Sequence, residues 1–166
     1  GQDDVRHNRT VRARGIVEKY SDLINTEVKG LEKIEDTAEA EQLINNNRDL
    51  LDNEEWKRFS ENSDEDIDDR KIFIANLIKH VNAIVDEANP EARKTYIKNL
   101  NNILREKENM YQNLDMGDSF TQNLNMLLKN MINKLKVSSF TTEMQMQSLI
   151  ERLQQIVDTQ LSPAAV

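Results

Sequence analysis

Asn89–Leu114, NPEARKTYIKNLNNILREKENMYQNL, decides the fold. Asn89 is a favoured N-cap, and Pro90 suits the first helical position, where a missing N–H costs nothing. Glu91 places negative charge at the positive end of the helix dipole. At 100° per residue, Ala92, Tyr96, Ile97, Leu100, Ile103, Leu104, Met110, Tyr111 and Leu114 share an arc of about 140°. Lys98, Asn99, Asn102, Glu106, Asn109 and Asn113 fill the opposite side. One face must be buried against neighbours, so the stretch predicts a bundle helix over 90–114. Lys107 falls inside the apolar arc, with Arg93 on the same side. Each is read either as half of a buried ion pair with a neighbouring helix or as a snorkelling stem.

Upstream, 66–88 is the most apolar stretch. Ile67, Ile74, Leu77, Ile78, Val81, Ile84, Val85 and Ala88 form its stripe, widened by Ile72, Phe73 and Ala75. It predicts a helix crossing the interior with two faces covered. His80, beside Val81, reads as a boundary histidine with one hydrogen bond, against the alternative of a proton donor or switch. Before it, residues 60–66 read as a loop. Asp64, Asp66 and Asp68 alternate as in an EF-hand calcium loop, but Asp69 stands where Gly is needed and Ala75 where the bidentate Glu is needed. An acidic helix start explains them, and no metal is expected.

Further back, Asp36 or Thr37 caps a helix over 37–60. It breaks near 47–53, where Asn45–Asn47 weaken it and Asp52 with Glu55 resembles a capping box. Ile16, Val17, Tyr20, Leu23, Ile24, Val28, Leu31 and Ile34 predict a helix over 10–35, with residues 1–9 a flexible N-terminal segment. Arg6, Arg9, Arg12 and Arg14 form a basic cluster at its start. Acidic neighbours dilute the cluster and no aromatic interleaves it, so it reads as a solvated helix end rather than a nucleic-acid contact.

Downstream, Gly117 is placed to end the preceding helix and Asp118 or Ser119 to cap the next. Phe120, Leu124, Leu127, Leu128, Met131 and Leu135 give a face over 119–137, with Met126 and Val137 on a second, smaller one. Thr142 and Gln145 form a capping box for a helix over 143–161. Met146, Leu149, Ile150, Leu153, Ile156, Val157 and Leu161 line it in a narrow stripe suited to coiled-coil-like packing. Residues 162–166 are a tail.

A chain of 166 residues buries about two-thirds of its unfolded surface as a single domain. Four glycines and two prolines give too little punctuation for a β-rich fold. The expected architecture is therefore an all-α, single-domain bundle of five to six helices over 10–161, up-down in type, with one short or broken helix. No apolar run approaches the roughly 18 residues that would span a bilayer. With no cysteine, thiolate catalysis, disulfides and cysteine zinc sites are excluded. Glycine-rich phosphate loops, Ser-His-acid spacing and H-E-x-x-H are missing as well. No cofactor or small-molecule substrate is expected, and the chain reads as non-enzymatic. Residues 27–69 carry a net charge of −11, whereas 1–26 carry +1 and 70–166 carry +2. That acidity argues against nucleic acid as the main partner.

The function expected is that of a protein–protein interaction domain, an adaptor or scaffold acting through acidic and Met/Leu-bearing helix faces. Trp56, Phe59, Met126, Met131, Met144, Met146, Leu149 and Leu153 are the candidate contact residues. Self-association or another protein is the expected partner, and membrane contact is disfavoured. A soluble, cytoplasmic protein is favoured, with export left open. The Asn/Gln/Met-rich region Leu124–Leu161 loosely looks like the closing helices of hydrophilic type III secretion proteins, over less than a quarter of the chain and without a family-specific motif. That resemblance implies, as the alternative, a secreted or structural assembly factor of a bacterium or virus. Nucleic-acid binding through Arg6–Arg14 is the third reading.

Overall fold

The computed structural model describes residues 30–61 and 65–161. Among them are seven α-helices, one 3-10 turn and no strand. In order these are α1 (Thr37–Asn46), the 3-10 turn (Arg48–Leu50), α2 (Asn53–Ser60), α3 (Glu65–Asp86), α4 (Pro90–Glu106), the single-turn α5 (Glu108–Tyr111), α6 (Ser119–Val137) and α7 (Met144–Thr159). The expected segments 1–9 and 162–166, the helix over 10–29 and the Arg6–Arg14 cluster lie outside the described residues.

Local chemistry sets most of the starts. Asp36 accepts from the Ala38 N–H, Asp52 from Glu54 and Glu55, Asn89 from Glu91, and Asp118 from Phe120. Each short polar side chain satisfies donors that a helix leaves unpaired in its first turn. The reciprocal half of the Asp52–Glu55 box does not form, because Glu55 instead accepts from the Ser119 hydroxyl at 2.8 Å. The Thr142–Gln145 box is also replaced. Glu143 is the N-cap residue of α7 and makes no side-chain cap bond, since its carboxylate is held by Arg93.

α3 occupies the interior, packing against α1, α4 and α6, while α6 also receives α2 and α7. The apolar stripes meet there. Ile74, Leu77, Ile78, Val81, Leu100, Leu104, Leu124, Leu127 and Leu128 are fully buried. Burying each such side chain contributes about 1.5–3 kcal/mol, which is what holds marginal helices in place.

Three expectations are corrected. The helix expected over 90–114 breaks at Lys107, whose N–H turns back to Leu104 and Arg105 while its carbonyl receives Met110 and Tyr111. Beyond the break Tyr111 is buried, at 2% exposure. The break raises the count among the described residues above five or six, together with the expected interruption between α1 and α2. Gly117 caps nothing: α5 has already ended at Tyr111, the Gly117 N–H donates to Asp115 Oδ1, and no described glycine has a positive φ. Finally, residues 30–36 are not helical. They form a strap running from the side of α4 across α3 to the start of α1.

Candidate functional site

The strap rests on a polar interruption in α3. Asn76 sits in an otherwise apolar run, Ile72-Phe73-Ile74-Ala75-Asn76-Leu77-Ile78, and is 6% exposed. Its Oδ1 accepts from the Ile34 N–H at 2.8 Å, and its Nδ2 donates to the Ile34 carbonyl at 3.0 Å. One side-chain amide thus satisfies both backbone groups of one residue, as a neighbouring strand would. The same Nδ2 donates to Ile72 O at 3.0 Å, which fixes the amide's orientation. No helical i→i−4 bond competes for Ile34, and this is why the amphipathic spacing of Leu31 and Ile34 does not become helix.

His80, one turn further along α3, is fully buried. Its Nδ1 lies 2.7 Å from the Asn76 carbonyl. A carbonyl only accepts, so Nδ1 carries the proton and Nε2 is left as a buried acceptor with no partner among the described residues. Burial pushes the His80 pKa below its ordinary value; the Asn76 bond opposes that, and Lys79 and Lys33 reinforce it. The side chain is therefore a neutral wedge beneath the strap.

The other strap contacts lie on the rim. Lys79 Nζ donates to the Glu32 carbonyl at 2.6 Å, and Lys33 pairs with Glu106 of α4 at 3.6 Å. Gly30 lies against the Asn99 side-chain amide, which a methyl group at that position would strike. Cavities open on both sides of Ile34. One of about 400 Å³ lies over Phe73, Ile103 and Lys107, and one of about 250 Å³, mainly apolar, lies against Leu43, Gln42 and Lys79. The larger is continued past Asp69, Phe73 and Lys107 by a third of about 330 Å³ reaching Met110.

Energetics mark the strap as lightly held. Burying Ile34 contributes about 1.5–3 kcal/mol and its two hydrogen bonds about 0.5–1.5 each. The exposed Lys33–Glu106 pair adds about 0–1 kcal/mol and the Lys79 bond to the Glu32 carbonyl about 0.5–1.5. Ordering the five residues 31–35 costs about 1–2 kcal/mol apiece. Gains and cost cancel to within a few kcal/mol, so the strap's attachment to α1 is what keeps it in place.

The eight contact residues read from the sequence do not form one surface. Trp56 and Phe59 are buried together, ring centroids 5.2 Å apart, with Phe120 5.5 Å beyond Phe59. Met131, Met146, Leu149 and Leu153 are fully buried in the core. Only Met126, 38% exposed, and Met144, 76% exposed, face outward. The two basic residues read together also part company. Arg93 is buried, paired with Glu143, bonded to the Glu87 carbonyl at 2.6 Å, and stacked over Phe140 at 3.6 Å. Lys107 instead leans over Phe73 at 5.9 Å, a stem lying on apolar surface.

Sequence reasoning passed over Ile34 as a site residue, and Asn76 and Lys79 altogether. The one available signal was Asn76 itself, a strongly hydrogen-bonding residue inside the most apolar stripe of the chain. Among the described residues no three His, Cys, Asp or Glu side chains could gather on a metal ion, and no helix is long and apolar enough to cross a membrane. The arrangement offers recognition of a polypeptide backbone. Compared with known proteins, the chain matches no family model, no curated protein and no solved structure.

Proposed function

We propose that the chain is a non-enzymatic protein-interaction domain, an up-down helical bundle that works in solution by holding polypeptide segments along the face of α3 between α1 and α4. The observation that carries this reading is the pairing of both Ile34 backbone groups with the Asn76 amide. A polypeptide backbone satisfies this mode of recognition, which is set between cavities of about 400 and 250 Å³. Of the Met/Leu faces, Met126 and Met144 remain to enlarge a contact.

The test is site-specific photo-crosslinking in an extract of the native source, with the photoreactive residue at Glu106 on the groove rim, at Met126, or at exposed Gln147 as control. Position 106 is expected to capture a discrete protein that the control does not. Equal labelling at both positions refutes the reading. Small metabolites and metals are expected to leave the melting temperature unchanged.

A second reading, self-assembly, is favoured by one observation. Val137 and Met144, 85% and 76% exposed, flank the turn between α6 and α7. Concentration-dependent sedimentation that Met144→Glu abolishes would support it, and a monomer at all concentrations would end it.

A further inference from the structure

Resting on the interaction-domain reading, we propose that Leu31–Glu35 is a resident occupant of the groove, held where a partner protein's non-helical segment binds, and that the partner segment carries a basic residue followed by a β-branched aliphatic one. Three of the strap's hydrogen bonds reach backbone atoms: the Ile34 N–H, the Ile34 carbonyl and the Glu32 carbonyl. A different polypeptide presents the same atoms. Beside the half-buried Leu31, side-chain selection enters most clearly at two positions. The slot that Ile34 fills to 3% exposure takes a compact aliphatic group, and Glu106 pairs with the Lys33 before it.

The fit is incomplete. Cavities of about 400 and 250 Å³ border Ile34 and stay unfilled by the strap, so larger flanking side chains than those of Leu31–Glu35 have room. A segment kept permanently for stability gains by filling its groove, whereas a placeholder need only cover Asn76 and the neighbouring apolar surface until it is displaced. Displacement leaves no orphaned groups in the groove, because the incoming backbone takes over both Asn76 bonds. Lys79 and Glu106, being on the rim, return to water without cost to the core.

The experiment uses the full 166-residue chain and a fluorescein-labelled peptide GLEKIEDTA, the sequence of residues 30–38. In native-state hydrogen exchange the Ile34 amide is expected to exchange about 100-fold or more faster than the Leu77 and Ile78 amides, reporting local release rather than global unfolding. The peptide is expected to bind Ile34→Ala about 10-fold tighter than wild type, since the weakened strap competes less. Lys33→Glu, which leaves the core untouched, should give the same direction at about 3-fold, the scale of an exposed pair set against Glu106. A peptide with Glu in place of Lys should bind both variants more weakly.

Exchange of Ile34 only with the core amides overturns the proposal, as does absence of peptide binding to folded Lys33→Glu. Strap exchange between two copies, seen as a wild-type dimer lost on adding peptide, overturns it in favour of self-association. Groove cross-links that persist while the peptide fails to bind would leave the interaction-domain reading standing and remove only the resident-strap inference.

Discussion

Replacing Glu143 with Ala should destabilise the protein more than replacing Arg93 with Met, although each removes the same ion pair. The Arg93 side chain is 1% exposed and that of Glu143 26%. Glu143→Ala therefore strands a buried guanidinium, whereas Arg93→Met leaves a carboxylate that can turn to water. Breaking a buried pair by removing one partner costs about 3–5 kcal/mol. The Glu87 carbonyl and the Phe140 ring stay with Arg93, so about 2–4 kcal/mol is expected here. Arg93→Met loses both hydrogen bonds to Glu143, the one to the Glu87 carbonyl and the cation–π contact over Phe140, but it leaves no buried charge and regains apolar packing, for a net cost of about 0–2 kcal/mol. Urea denaturation at pH 7 with a common slope reads both values. Adding Arg93→Met to Glu143→Ala should then recover stability, because the orphaned charge disappears. A double variant no more stable than Glu143→Ala, or an Arg93→Met loss equal to it, refutes the argument.

Three further outcomes are expected. The folded protein holds His80 neutral with its pKa lowered from 6.5, so the unfolded chain takes up a proton that the native state refuses. Stability should be level above about pH 6.5 and fall as pH drops below it, by up to about 1.4 kcal/mol per unit until the folded-state pKa is reached. Lys33 and Lys79 add to that resistance; in His80→Phe the slope should vanish relative to wild type, and parallel pH profiles would contradict this. Burial raises the pKa of Tyr111, and its hydroxyl has no partner among the described residues. Tyr111→Phe should leave thermal stability unchanged or raise it by about 1 kcal/mol, and a loss of that size would show a bond the structure lacks. Phe59→Ala, which opens the stack between Trp56 and Phe120, should cost about 3–5 kcal/mol and shift Trp56 emission to the red. A cost near zero would place the stack outside the cooperative core.

Much of the architecture was legible because its causes are local. Asn89-Pro90 begins α4 as its capping chemistry requires, Asp118 begins α6, and the stripe from Phe120 to Leu135 is buried as its period demands. The break at Lys107 was not legible, for no Gly or Pro marks it. Periodicity also says which side of a helix is apolar, not how many neighbours cover it. Hence Met131, Met146, Leu149 and Leu153, read as contact residues, lie inside.

By itself the sequence determined that residues 30–61 and 65–161 carry helices and no strand, most of their helix ends and the apolar stripe of each of those helices, since those depend on side chains within a turn of one another. Tertiary structure alone decided that Ile34 meets Asn76 across 42 positions and Arg93 meets Glu143 across 50. The physical reason is that a buried polar group must find a partner somewhere, and its own sequence neighbourhood states the need without naming the donor or acceptor that meets it.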